Sequence, residues 1–201
     1  MPDVGPFDAD EAATPLSPEE RLGLIPAYIA FRHELNAAEQ ANIAKAQAAL
    51  FGRRRQRDPA KLIDEGYICR AHRLMYSDVW VWAGQYRRSD RNIGVRWTRI
   101  PVEVRTLLDD ARAWLQHRSY PPDELAVRLH HRLVSIHPFP IGNGRLSRLM
   151  GDLLIVALGR ERFTWGSANL VDPTEVRRRY IDALRQADAH IIAPLIEFSR
   201  S

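Results

Sequence analysis

The stretch HPFPIGNGR, residues 137–145, most restricts how this chain can fold. Its prolines, Pro138 and Pro140, disfavour helical backbone before them and have no amide hydrogen to donate, so a helix cannot run through the stretch. Segments with helical patterns lie on both sides of it, at about 122–136 and 145–159. The chain therefore contains an irregular connection between two helices.

Helical patterns continue along most of the chain and predict an all-α fold. The segment ELNAAEQANIAKAQAAL, residues 34–50, is rich in strong helix formers, and a further helix is expected from about Pro59 to Ala83. Other helices are predicted at about 102–118, 173–188 and 191–199. The helix from 145 is apolar on nearly every side from Leu149 to Leu158, which is typical of a central buried helix.

One segment departs from the helical pattern. In QYRRSDRNIGVRWTRI, an Asn-Ile-Gly turn separates two stretches that mix β-branched, aromatic and arginine residues. We therefore expect a small β-hairpin at about 87–100.

Length and composition fit one globular domain. The chain has 201 residues, of which 45% are hydrophobic. We expect a flexible segment at 1–17 and a single domain at 18–201, whose N-terminal helical extension is capped by Ser17. The acidic start lacks the layout of a secretory signal, the apolar run from Leu153 is too short for a membrane span, and Cys69 is the only cysteine. These features favour a cytoplasmic protein with no membrane segment.

The basic character of the chain does not make nucleic acid an expected partner. The net charge is +4, and the densest arginine cluster lies in FGRRRQRDPAK. No aromatic residues alternate with these arginines to stack on bases. A solvated surface loop is the favoured interpretation.

The end of the HPFPIGNGR stretch has the features of an anion site. Gly142 and Gly144 leave backbone amides unobstructed at the start of the helix that Arg145 opens, and such amides bind phosphate oxygens. Arg145 and Arg148 are three residues apart, so both project from one side of the first helical turn. Two further phosphates or oxygens of one phosphate chain can be held there by forked hydrogen bonds.

Two polar residues of the stretch suit chemistry next to that anion. His137 has an ordinary pKa that suits a general base near neutral pH, and Asn143 can hydrogen-bond a phosphate oxygen or a metal-bound water. Each fragment alone is typical of a helix-to-helix turn with a core histidine. A base, an anion cradle and two arginines within twelve residues together favour phosphate chemistry.

These residues carry a resemblance to a known family. HPFPIGNGRLSR resembles the Fic motif HPFx(D/E)GNGRxxR at every position except the acidic one, which is Ile141. WAGQYRRSDRNIGV resembles the segment leading into the Fic flap hairpin, and RRRYIDALRQADAHIIAPLIEF resembles the end of the domain. With FTWG and ELNAAEQANI, nearly the whole chain is similar to the Fic branch called mobile mystery protein B, where asparagine is common at the position of Ile141.

The resemblance implies a Fic-type helical bundle that binds ATP and transfers AMP to a Ser, Thr or Tyr hydroxyl of a target protein, the chain itself included. The hairpin at about 87–100 would be a flap that registers the target segment by adding a strand. A regulatory or antitoxin-like protein is a further implied partner.

The resemblance also implies a role for each residue of the motif. His137 would deprotonate the target hydroxyl, and Phe139 would pack in the core and hold the loop. The phosphate-binding roles fall to the remaining positions: Gly142 and Gly144 for the anion hole, Asn143 for the α-phosphate, Arg145 for the β-phosphate side and Arg148 for the γ-phosphate.

Two features depart from the family pattern. The usual Asp or Glu holds Mg²⁺ between the phosphates, but Ile141 has no ligand atom, so no metal-ligating residue is expected. Many members also carry an (S/T)xxxE(G/N) helix whose glutamate occupies the place of the γ-phosphate. In AFRHEL, Glu34 keeps the acid while Ala30 and Leu35 break both flanks. Glu34 is the candidate inhibitory residue.

Three functions stay open at this point. The first is a Fic-type protein adenylyltransferase, which the retained His137, Asn143 and arginines favour. The second is a catalytically weak or inactive Fic fold that binds a nucleotide or partner protein as a regulator, which the loss of the acid at Ile141 favours. The third is a Fic enzyme that transfers another phosphate-linked group, because nothing in these residues reads the base.

Overall fold

The computed structural model describes residues 18–52, 58–167 and 173–201. These residues form helices α1 (Pro18–Arg21), α2 (Arg32–Phe51), α3 (Glu65–Tyr76), α4 (Ile100–His117), α5 (Pro122–Ile136), α6 (Asn143–Ala157), α7 (Pro173–Asp188) and α8 (Ala193–Arg200). The all-α prediction is confirmed. The segment predicted to be flexible, 1–17, and most of the arginine-rich loop lie outside the described residues. Within the described part, none of the helices has the length and apolar content needed to cross a membrane.

The paired helices α5 and α6 form the centre of the molecule. Ten of the fifteen residues of α6 are buried, as the apolar pattern on nearly every side of it predicts. Leu129 and Leu133 of α5 are fully buried beside it. Helices α4 and α8 pack against α5, and α7 packs against α8. The chain between α5 and α6 is therefore held at both ends by the most buried helices.

The second helix of the chain determines where the third one ends. The prediction of one helix from Pro59 to Ala83 is wrong, because α3 stops at Tyr76. The Asn42 side chain of α2 donates to the Leu74 carbonyl oxygen at 3.1 Å and accepts from the Asp78 amide at 3.0 Å. These two bonds satisfy backbone groups at the helix end, and the chain then continues in turns.

The expected β-hairpin at about 87–100 does not form. Within the described residues, this segment has no strand and ends in a short 3₁₀ turn just before α4. The backbone amides of its two sides bond to the end of α5 and the chain that follows it: the Arg87 amide donates to the Pro138 carbonyl at 2.9 Å, and the Val95 amide donates to the Ile136 carbonyl at 3.2 Å. These acceptors lie 51 and 41 residues further along the sequence, and not directly across a hairpin.

A buried histidine links the central helices to α7. His130 of α5 is fully buried, and its ring lies 4.6 Å from the Trp165 ring, centre to centre. The Tyr180 hydroxyl of α7 is 3.3 Å from His130 Nε2. Burial, together with the nearby Arg148 charge, lowers the pKa of His130 from 6.5 to about 3. The folded protein therefore keeps this imidazole neutral.

The neutral state of His130 predicts an acid-sensitive fold. Between pH 6.5 and 3 the unfolded chain binds a proton at His130 that the folded chain does not. The free energy of unfolding is therefore undiminished by His130 above pH 6.5 and decreases as the pH falls below that value. At pH 5 the loss amounts to about 2 kcal/mol. Urea unfolding of the His130→Gln variant should show a smaller decrease in free energy between pH 7.5 and pH 5 than the wild type shows.

The exposed His117 offers a matched control. His117→Gln should retain the full wild-type decrease over the same pH interval. A His130→Gln protein with the wild-type pH dependence would show that His130 takes up its proton without unfolding.

Candidate functional site

The loop between α5 and α6 begins and ends in left-handed backbone. His137 caps the C-terminus of α5 with φ 55°, and Gly142 caps the N-terminus of α6 with φ 73°. For a residue with a side chain, this conformation costs about 1–2 kcal/mol, so other contacts must hold His137 in place. The two caps turn the chain so that the end of one helix faces the beginning of the next.

The Asn143 side chain closes this loop from the inside. Its Oδ1 accepts from the Phe139 amide at 2.9 Å, and its Nδ2 donates to the Phe139 carbonyl oxygen at 2.8 Å. Asn143 is buried. Because both ends of its amide bond the loop backbone, the structure assigns Asn143 a bracing role, beside the α-phosphate role that the motif resemblance implies.

His72 of α3 supports the same loop from outside. It is fully buried and stacks on the buried Phe139 ring at 4.0 Å between ring centres. Its Nδ1 accepts from the Gly84 amide at 2.9 Å, so the proton is on Nε2, which donates to the Ile141 carbonyl at 3.2 Å. Burial lowers the pKa of His72 to about 3, which keeps this neutral form. The sequence pattern gave His72 no functional role. The one feature that could have identified it is that a polar residue occupies a position of the apolar helical pattern.

The His137 ring is held in the form that can accept a proton. Its Nδ1 lies 3.3 Å from the Val134 carbonyl oxygen, which can only accept, so Nδ1 carries the proton and Nε2 has the free lone pair. Burial, together with the charges of Arg87 and Arg91, lowers the pKa of His137 from 6.5 to about 4. At neutral pH the acceptor form is therefore fully populated.

The two glycines of the loop serve different needs. A side chain at Gly142 would overlap the Tyr76 hydroxyl, so this glycine is required both for its positive φ and for packing. A Cβ at Gly144 would have only the Tyr180 hydroxyl near it, at 3.9 Å. No side chain of the described residues caps the N-terminus of α6. Its first amides are therefore open on the Gly144 side, where an anion can bind them.

The two arginines of the first turns of α6 are in different states. Arg145 Nη1 pairs with Glu39 Oε2 at 3.0 Å and lies 3.5 Å from the Tyr76 hydroxyl. The Arg148 guanidinium lies over the Tyr180 ring at 5.3 Å. Arg145 therefore has to release the Glu39 carboxylate before it can bind a phosphate. Arg148 contacts the face of the Tyr180 ring in this arrangement, and this contact does not use its N–H groups, which can donate to a ligand.

The acid that meets a motif arginine is Glu39 of α2. Its side chain is 8% exposed, and its other oxygen accepts from Trp80 Nε1 at 3.0 Å. Glu34, the residue expected from the sequence, accepts instead from the backbone amides of Ala30 and Phe31 at 2.7 and 3.0 Å and so caps α2. These backbone bonds lower the pKa of Glu34.

A sequence signal for Glu39 exists. The buried face of α2 carries residues at helical spacing, namely Leu35, Glu39, Asn42, Ala46 and Leu50. A carboxylate on such a face needs a buried partner, because an isolated buried charge is very costly. Glu39 is therefore identified by its position on the buried face of α2, and not by similarity to the (S/T)xxxE(G/N) pattern.

Ile141 supplies no ligand for a metal. Its side chain is partly buried against the core, and its carbonyl accepts from His72. Nowhere in the described part of the chain do three or more His, Cys, Asp or Glu side chains form a cluster that could hold a metal ion. The side chain at this position therefore does not fit a magnesium ion.

These features define a class: a helical domain with a braced anion-binding loop, a neutral histidine at its start and two arginines after it. Residues 62–155, just under half of the chain, match the model of the Fic/DOC family, so this segment is similar to that family. The matched residues contain α3, α4, α5, the whole loop and nearly all of α6.

Two curated insect relatives have the same name. The protein adenylyltransferase Fic of Aedes aegypti is 30% identical over 118 residues, which are 57% of this chain and 22% of that protein. The protein of the same name from Drosophila melanogaster has the same identity and covers 57% of this chain and 23% of that one. The chain thus spans less than a quarter of the length of the curated relatives it matches.

Solved structures share the fold. The N-terminal Fic domain of Bep8 from Bartonella sp. 1-1C superposes with a TM-score of 0.66 at 16% identity, over 90% of this chain and 95% of that one. An N-terminal Fic domain with bound ADP from Bartonella quintana gives a TM-score of 0.63 at 18% identity, over 87% and 86%. The predicted Fic-type helical bundle is confirmed.

The pairing of Glu39 with Arg145 predicts the effect of removing the acid. Glu39→Gln keeps an acceptor for Trp80 but removes the charge that competes with a phosphate for Arg145. The affinity for ATP or ADP, measured by titration calorimetry, should increase about tenfold, which corresponds to the 1.4 kcal/mol expected from freeing one charged hydrogen-bond donor.

Glu34 provides the comparison on the same helix. Glu34→Gln should lower the thermal stability, because it removes a negative charge at the N-terminus of α2, and leave the nucleotide affinity unchanged. The opposite pattern, with tighter binding in Glu34→Gln alone, would return the inhibitory role to Glu34.

Proposed function

We propose that this chain is a protein adenylyltransferase that transfers AMP from ATP to a Ser, Thr or Tyr hydroxyl of a target protein. The observation that carries the proposal is the pairing of a proton-accepting His137 with the open amide end of α6, both held in one braced loop. The names of the insect relatives and the ADP in the Bartonella quintana domain support it.

The transfer follows from the geometry of this loop. His137 Nε2 accepts the proton of the target hydroxyl, and the hydroxyl oxygen forms a bond to the α-phosphorus of ATP. The bond from the α-phosphorus to the oxygen that bridges to the β-phosphate breaks, and pyrophosphate leaves. The product carries AMP on the former hydroxyl oxygen through a phosphodiester.

The residues after His137 stabilise the charge on the phosphates. The first amides of α6, next to Gly144, donate to the phosphate oxygens on which negative charge develops. Fixed donors of this kind are effective because they need no reorganisation. Arg148 reaches the terminal phosphate, and Arg145 reaches the middle one once it releases Glu39. Their charge assists departure of pyrophosphate.

We place the target segment along the loop 87–97. This loop carries exposed apolar side chains, Ile93 and Trp97, and its Gly94 lies against His137. An extended target segment on this face would bring a hydroxyl to the side of His137 that bears Nε2. The docking uses a loop and not the strand of a preformed hairpin.

A second function is favoured by Ile141. Without an acidic ligand at this position, the site lacks the side chain through which a magnesium ion would neutralise the departing diphosphate, a contribution of several kcal/mol. In that case the chain binds nucleotide through α6 and acts as a regulator of a partner protein. The two functions differ in turnover and not in nucleotide binding.

The first test removes the base. His137→Ala should lower transfer at least about 100-fold, because general-base catalysis contributes that much, while the amides and arginines continue to bind nucleotide. The measurement is labelling by [α-³²P]ATP, with and without cell lysate, together with nucleotide affinity. His117→Ala, at an exposed position, should label like the wild type. Equal labelling in wild type and His137→Ala would exclude His137 as the base.

The second test supplies the missing acid. The wild type should bind ATP with little dependence on Mg²⁺ and transfer AMP slowly, whereas Ile141→Asp should bind ATP in a magnesium-dependent way and transfer it faster. Labelling rate against Mg²⁺ concentration measures both. Ile141→Asn, which is similar in size to Asp but uncharged, should gain much less. Fast and strongly magnesium-dependent transfer by the wild type would show that another residue holds the metal.

A further inference from the structure

A buried arginine joins the loop 87–97 to the main chain of the base. Arg87 is 2% exposed, and its side chain bonds carbonyl oxygens only. Its Nε donates to His137 O at 2.7 Å, its Nη1 donates to Ser89 O at 2.8 Å, and its Nη2 donates to Val95 O. The nearest carboxylate, that of Asp90, lies 3.9 Å from Nη1 and is largely exposed.

The same loop binds three successive carbonyls of the motif segment. Ile136 O accepts from the Val95 amide, His137 O accepts from the Arg87 side chain, and Pro138 O accepts from the Arg87 amide. The backbone on both sides of the His137 Cα is therefore fixed by contacts from one distant loop. The Arg87 guanidinium bonds one of these carbonyls, that of His137, and two carbonyls of its own loop, those of Ser89 and Val95. A planar group with several donors in a fixed fork is suited to bonding three carbonyls at once.

We infer that Arg87 is a positioning residue for His137: it holds the loop 87–97 closed on the motif and keeps the His137 backbone in its left-handed conformation. The inference rests on the proposed function, because it assigns His137 the role of base. Arg87 touches neither nucleotide nor target and acts through the carbonyl of His137.

Close packing supports this role independently of the hydrogen bonds. Gly94 has φ 92°, and a Cβ there would lie 2.6 Å from His137 Cβ and 3.0 Å from Arg87 Nη2. The loop therefore lies directly on the base, at a distance that only glycine permits. The ring direction follows from the backbone: with the His137 carbonyl held, Nδ1 stays on Val134 O and Nε2 stays free.

The test compares Arg87→Met with Arg105→Met, which changes an exposed arginine of α4 outside the loop 87–97. In Arg87→Met we expect kcat for AMP transfer to fall about 100-fold, as small misplacements of catalytic groups do, with the Kd for ATP within about twofold of the wild type. Arg105→Met should change neither. Arg87→Lys keeps the charge but not the fork, so it should recover kcat only in part.

A second readout does not depend on transfer. The His137 ring, observed by ¹H–¹⁵N NMR during a pH titration, should take up its proton at higher pH in Arg87→Met. The charges of Arg87 and Arg91 both disfavour protonation of His137, and the variant removes the first of them. Opening of the loop also exposes the ring to water, and both changes favour its charged form. Arg87→Lys should stay closer to the wild type. If the wild type transfers no AMP, the proposed function fails, and this titration still decides the role of Arg87.

Two results would overturn the inference. One is a folded Arg87→Met protein with wild-type kcat and a wild-type His137 titration. If Arg87→Met does not fold, Gly94→Ala replaces it, because the added methyl group pushes the loop 87–97 away from His137 and from the Arg87 guanidinium while the arginine itself is retained. Wild-type kcat and titration in Gly94→Ala would show that the loop does not position the base, whereas a lower kcat with unchanged Kd supports the inference.

Discussion

Two hydrogen bonds between the Asn143 side chain and the Phe139 backbone set the shape on which the rest of the site depends. Both lie in the protein interior, where an unsatisfied donor or acceptor costs about 1–3 kcal/mol, so the closed form of the loop is strongly preferred. The stacking of His72 on Phe139 and its bond to Ile141 fix the outer side of the same loop. A preorganised arrangement of this kind lets backbone amides bind an anion without rearrangement.

The N-terminal helices contribute to the site as well as to the fold. Helix α2 ends α3 through Asn42 and brings Glu39 to Arg145, while α3 carries His72 under the loop. Through Glu39, the position of α2 affects how much positive charge Arg145 offers to an anion at the start of α6. An event that moves α2 would therefore alter anion affinity without any change in the motif itself.

The sequence predicted the parts of the fold that local rules control. The bounds of α5 and α7 agree with the structure, because prolines and polar turns mark their ends. The anion-binding loop was also readable, since glycine, proline and charge lie close together in the chain. The interactions that overturned other expectations connect distant positions: Asn42 ends α3 from 32 residues away, and Arg87 bonds the backbone of a residue 50 positions later. Glu39 was missed because a motif flank directed attention to Glu34. Helical spacing places Glu39 on the buried face of α2, but its partner Arg145 lies 106 residues away and is shown only by the packing.

The loop joins two helix ends of opposite polarity, and this has a consequence for the movement of charge. The last carbonyls of α5 carry partial negative charge beside His137, and the first amides of α6 carry partial positive charge near Gly144. In the proposed transfer, a proton arriving on the imidazole is therefore attracted by the end of one helix, and the negative charge that develops on the phosphate oxygens is attracted by the beginning of the other. The macrodipoles of two packed helices thus separate the two charges in opposite directions across a single short turn.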